Sequence, residues 1–127
     1  MNNEGQKYTI ELPWFDSTLT PNGSQGNWRK KAAAKKKQRA ESCLITKTTI
    51  QNKPRGETLE IKLTYHPPDR RRRDLDNCLA ATKGALDGVA DALGVDDRNF
   101  RPITVDFGDV CKGGKIILEI IEIGVDA

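Results

Sequence analysis

Apolar residues recur along the chain with two periods, and the switches between them outline the elements. Tyr8, Ile10 and Leu12 alternate with Thr9 and Glu11, which predicts a strand with one buried face, ended by Pro13. The stretch 13–27 is rich in Pro, Gly, Ser, Thr and Asn and predicts a loop long enough to be functional or mobile. From Trp28 to about Ile45 the good helix formers Ala and Lys dominate, before Thr46, Thr48, Thr49 and Ile50 weaken the preference, so the helix is predicted to fray there. Leu59, Ile61, Leu63 and Tyr65 alternate with Glu60, Lys62 and Thr64 in a second strand that Pro67 and Pro68 end. Leu75, Leu79, Leu86, Val89, Ala90 and Leu93 then recur at helical spacing over about 75–93. Gly94 is placed as the stop, and Gly84 and Gly88 are candidate points for a bend. Two further strands, about 103–107 and 115–123, flank a turn at Lys112-Gly113-Gly114.

This order, β-α-β-α-β-β, predicts an α/β (α+β) fold in which a mixed sheet packs with two main helices. At 127 residues the chain reads as a single domain, 1–127, able to bury about two-thirds of its unfolded surface. The last strand is apolar on both faces, with Ile116, Leu118 and Ile120 on one and Ile117, Ile121 and Ile123 on the other. Such a strand is central in its sheet or covered by a partner subunit.

Composition changes the picture through the distribution of charge. Residues 28–73 carry 15 Lys/Arg against 4 Asp/Glu, a net of +11, whereas the rest of the chain carries 6 against 14, a net of −8. A basic half suits a polyanion, and an acidic half rich in oxygen donors suits a hard metal ion. Cys43, Cys78 and Cys111 are widely spaced and His66 is the sole histidine, which supports neither a disulfide framework, a zinc site, nor a nucleophile–histidine triad. No apolar run approaches the roughly 18 residues of a membrane span, so no membrane partner is expected and the protein reads as cytoplasmic.

The two charge classes meet at residues 70–77, Arg-Arg-Arg-Arg-Asp-Leu-Asp-Asn, at the mouth of the predicted second helix. Arginine attracts phosphate and aspartate repels it, so their juxtaposition makes sense if a divalent cation on the carboxylates bridges them to a nucleic-acid backbone. An isolated Asp-x-Asp ordinarily reads as a helix N-cap, but one cap accounts for only one of Asp74 and Asp76. Asp96-Asp97, past the end of the same helix, forms a second acidic pair. It reaches the first only if the chain doubles back, because about twenty helical residues span about 30 Å. Lys83, two turns after Asp76, suits a phosphate contact or an ion pair with Asp87. The run Arg29, Lys30, Lys31, Lys35, Lys36, Lys37 and Arg39 contains no acid, which suits a polyanion better than an ordinary solvated helix face, and Trp28 before it offers a stacking surface or a core residue.

The Arg-Arg-Arg-Arg-Asp-Leu-Asp-Asn block resembles the RusA family of Holliday junction resolvases of phages and prophages. Lys83 with Ala-Leu-Asp at 85–87, Asp96-Asp97, Lys112-Gly113-Gly114, Pro68-Asp69 and Leu12-Pro13-Trp14 extend the resemblance over most of the chain. It implies a homodimeric, Mg²⁺-dependent endonuclease, with Mn²⁺ as a substitute, that nicks opposed strands of four-way junction DNA during recombination and repair. Metal ligands would fall on Asp74, Asp76 and Asp97, the essential lysine on Lys83, and DNA contacts on Arg73 and Asn77. Arg72, Lys35 and Lys36 join the expected DNA-binding set from the charge pattern. The alternatives are a less selective phage nuclease acting on flaps or forks and a non-catalytic DNA-binding module whose aspartates only cap helices.

Overall fold

A computed structural model describes residues 4–23 and 27–125; of the predicted 13–27 loop, positions 24–26 therefore lie outside the described residues. Four strands, β1 (Glu4–Pro13), β2 (Thr58–His66), β3 (Phe100–Phe107) and β4 (Lys115–Ile123), form one mixed sheet in the order β1-β4-β2-β3. β4 pairs antiparallel with both β1 and β2, and β2 pairs parallel with β3. The expected mixed sheet with helices is thus the observed α+β architecture. A parallel pair requires a crossover, and it is supplied by two helices, α2 (Leu75–Ala80) and α3 (Lys83–Leu93), between β2 and β3. Helix α1 (Trp28–Thr49) connects β1 to β2.

The two-faced last strand is central, as its pattern predicts. On the helix side, Ile116, Leu118 and Ile120 are fully buried beside Ile10, Leu12, Ile61, Leu63 and Tyr65. On the other side Ile117, Ile121 and Ile123 are half-buried, and charged neighbours such as the Lys7–Glu119 ion pair flank them.

The predicted second helix is broken, but not at its glycines. The interruption falls at Ala81 and Thr82, where the Thr82 hydroxyl donates to the Cys78 carbonyl at 2.6 Å and meets the buried Tyr65 hydroxyl at 2.9 Å. Gly84 and Gly88 instead lie inside α3 where α1 crosses it. A Cβ at Gly88 would stand 2.2 Å from the Arg39 carbonyl oxygen, so only glycine admits this approach. α3 is therefore covered on two sides, with Ala85, Leu86, Val89 and Leu93 in the core.

Nor does α1 fray at Ile45. It continues to Thr49, with Thr46 fully buried against the core, and the hydroxyls of Thr46, Thr48 and Thr49 turn back to the carbonyls of Ser42, Leu44 and Ile45 instead of leaving for solvent. Burial overrides a weak propensity. No helix among the described residues is long and apolar enough to cross a membrane.

Candidate nucleic-acid and metal site

The finishing ends of β1 and β2 lie on one edge of the sheet, because Pro13 and His66 both pair with Lys115. Trp14 and Phe15 follow Pro13, and the arginine run follows the Pro67-Pro68 stop after His66, so aromatic rings and guanidinium groups arrive at one place. They line a cleft of about 650 Å³ with Asp74 and Asn77. Trp14 and Phe15 stack with ring centroids 4.5 Å apart, and both meet Tyr65 edge-on.

Arg73 is the organising group of this cleft. Its Nη2 donates to Asp69 Oδ1 at 2.9 Å, its Nη1 donates to the Arg71 carbonyl at 2.9 Å, and its guanidinium lies 5.6 Å from the Trp14 ring centroid. The Arg71 N–H and the Arg73 side chain together hold the Asp69 carboxyl below the usual range. The side chain of Arg73 retains 18% of its exposure, against 81% for Arg71. Arg70 and Arg72 are exposed and form no ion pair among the described residues. The four arginines therefore divide into one anchored in the cleft wall and others turned to solvent.

Asp74 occupies the N-cap of α2 but makes no capping hydrogen bond, and Asp76 sits in the first turn. Both are exposed, and among the described residues neither carboxylate forms a hydrogen bond or an ion pair. The capping role leaves both carboxylates unexplained. Behind them the Cys78 thiol is buried, which pushes its pKa up, with Arg73 opposing and Asp74 adding to the shift.

The second acidic pair is split by its own geometry. Asp96 caps the 3-10 turn Asp97–Asn99, accepting from the Arg98 N–H at 2.9 Å and pairing with the Arg98 guanidinium at 2.9 Å, which lowers its pKa. Asp97 instead lines a smaller crevice of about 280 Å³ with Lys83, Lys35, Leu86 and Asp87. Lys83 forms no salt bridge with Asp87 among the described residues; it lines this crevice with Lys35 of α1, and Lys35 and Lys36 are both exposed. Trp28 is 70% exposed beneath the Arg29 guanidinium and is not a core residue.

The structure thus groups Asp74 with Arg73, Arg72 and Asn77, and groups Asp97 with Lys83 and Lys35. Asp74 and Asp97 line different clefts. Among the described residues no three Asp, Glu, His or Cys side chains converge as a cation cage. Trp14 and Phe15 are cleft residues that pattern reading did not place in the site. Both are apolar and lie beside a strand, a signal indistinguishable from core.

No family model matches the chain. A crossover junction endodeoxyribonuclease RusA of Escherichia coli is 31% identical over 118 residues, spanning 92% of this chain and 96% of that protein. The chain belongs to the RusA family. An uncharacterised protein of Xylella fastidiosa is 32% identical over 120 residues, 91% of this chain and 76% of that one. A further RusA, from an enterobacteria phage, is 42% identical over 66 residues, about half of each chain. The cleft of arginines and aromatic rings that Asp74 borders is thus the cleft of a RusA-family protein.

Proposed function

We propose that the protein is a structure-specific DNA endonuclease that resolves four-way junctions by paired nicks, as a cytoplasmic homodimer of phage type, in recombination and repair. The observation that supports this reading best is the pair of exposed, uncommitted carboxylates, Asp74 and Asp76, directly beside an arginine-lined cleft. Relatives over nearly the whole chain are named for cutting crossover junctions, and the phage relative favours the phage type.

The roles follow from position. Arg72, exposed and unpaired, takes a backbone phosphate. Arg73, held by Asp69, orients Trp14 at the cleft wall, and Asn77 borders the same space. Lys83, Lys35 and Lys36 extend the basic path along α3 and α1. Asp74 and Asp76 offer the hard oxygen donors that suit Mg²⁺, or Mn²⁺ in its place. The third proposed ligand, Asp97, lines the crevice that holds Lys83, and among the described residues no group of three ligating side chains converges within one chain.

Cleavage of a synthetic four-way junction in Mg²⁺ tests the reading. Wild type is expected to nick opposed strands, and Asp76→Asn to retain junction binding while losing nicking by a factor of about 100 or more. Binding without cutting in either Mg²⁺ or Mn²⁺ would reduce the protein to a DNA-binding module. Equal cutting of flaps would make it a broader nuclease.

A further inference from the structure

The cleft that Asp74 borders has a lining of two unlike parts. One part is aromatic: Trp14 and Phe15 stack with centroids 4.5 Å apart, and the fully buried Tyr65 meets both edge-on at 6.1 and 6.5 Å. The indole is also seated on Gly114, where a Cβ would stand 2.9 Å from Trp14 Cγ. The aromatic wall is therefore fixed in place. The other part is polar, with Arg71 and Arg72 exposed and Asn77 and Thr20 half-buried.

A phosphate backbone alone does not account for this composition. Cations suffice to track phosphates, and an aromatic pair among them would only face water. A nucleobase fits both parts at once, because its flat faces pack on aromatic rings while its edge carries hydrogen-bond donors and acceptors. Asn77 offers an amide that serves such an edge as both donor and acceptor, and its side chain makes no hydrogen bond among the described residues. The cleft's volume of about 650 Å³ lies within the roughly 300–1,000 Å³ of pockets that enclose a whole small ligand.

We propose that this cleft receives one unstacked nucleotide, so that cutting is confined to positions where a base has left the helix. The inference rests on the nuclease reading and names the feature of DNA structure that its site selects. In an intact duplex each base is paired along its edge and stacked on both faces, and drawing it out is costly. The cost is least where pairing is already broken, as at a branch point. Asp74 lines the same cleft, so a nucleotide held there carries its own phosphate into the space that this carboxylate borders. Preference for branched DNA then follows from the cost of extrusion, with no need to read the four arms as a whole. Trp14 and Phe15 are positioning residues in this scheme, since they hold the base and leave the reacting phosphate to other groups.

Varying the DNA decides the point. A fully paired duplex is compared with one carrying a single unpaired nucleotide, and with one carrying an abasic residue in place of that nucleotide. In Trp28→Phe protein Trp14 is the remaining tryptophan, and its emission without Mg²⁺ reports on the cleft. The unpaired nucleotide is expected to quench Trp14 and to bind at least about fivefold more tightly than the abasic residue, the factor that one base–aromatic stack supplies. In Mg²⁺, wild type should nick beside the unpaired nucleotide and spare the paired duplex. Phe15→Leu keeps the apolar volume without a flat ring and should erase the difference between nucleotide and abasic residue, and Phe15→Tyr should restore it. Equal affinity for the two bulges, an unmoved Trp14 emission, equal nicking of the paired duplex, or a base preference that survives Phe15→Leu overturns the inference; if four-way junctions are still cut, the nuclease reading stands. A base-dependent quench in a protein that cuts no DNA would overturn the nuclease reading and leave the nucleotide cleft in place.

Discussion

Arg72 and Arg73 are neighbours of identical chemistry, yet their surroundings assign them different consequences. Arg73 is spent on Asp69 and the Trp14 ring, so Arg73→Ala leaves Asp69 with its Arg71 contacts alone and uncovers an aromatic ring. A loss of about 1–2 kcal/mol is expected in urea unfolding. Arg72→Ala touches nothing in the fold. Its unfolding should match wild type, while junction affinity falls and the slope of log K against log salt becomes shallower by about one. An Arg72→Ala variant as destabilised as Arg73→Ala would contradict this division. The same logic separates Asp96 from Asp97. The residues alone leave them equivalent, and in the structure the Asp96 carboxylate is engaged by Arg98.

Among the elements, α3 depends most on what lies around it. Its apolar periodicity is plain in the sequence, and so is its stop at Gly94, which takes the left-handed conformation with φ 67°. Its glycines read as a weak point, because glycine in an isolated helix costs about 1 kcal/mol relative to alanine. Packing reverses that reading. In Gly88→Ala the new methyl would meet the Arg39 carbonyl oxygen at 2.2 Å and the Cys43 nitrogen at 3.0 Å, both backbone atoms that cannot swing aside. The variant is expected to lose about 2 kcal/mol or more despite its better helix propensity. An unchanged or raised melting temperature would show that α1 and α3 do not approach this closely. The threonines of α1 carry the same lesson in milder form, since a run that weakens a helix in isolation is held helical here where Thr46 is buried.

For the molecule as a whole, one buried carboxylate ties three segments together. Glu122 of β4 is 5% exposed and accepts the N–H groups of Gln6 and Arg55 and the Tyr8 hydroxyl. Burial alone would raise its pKa, but these donors outweigh burial and hold it below the ordinary value. A carboxyl depressed in the folded state stabilises the fold above its unfolded pKa, and that contribution disappears as the pH falls through the folded value. Thermal melts from about pH 7 down to about pH 3 should therefore show wild type losing stability below the ordinary carboxylate range near 4.3. Glu122→Gln should start lower at neutral pH and fall less steeply; parallel curves would remove Glu122 from the account. Much at this scale was legible in the chain itself. The periods of apolar residues set the strands and helices, and the Arg-Arg-Arg-Arg-Asp-Leu-Asp-Asn block marked the arginine-lined cleft and the family, because periodicity and local chemistry are carried by neighbours in sequence. Strand order, the glycine-mediated crossing of α1 on α3, the recruitment of Trp14 and Phe15 to the cleft, and the placing of Asp97 and Asp74 in different clefts were decided only by the tertiary structure. Each depends on residues far apart in the chain being brought together or kept apart by the parallel β2–β3 pair and its crossover, and no local pattern encodes that distance.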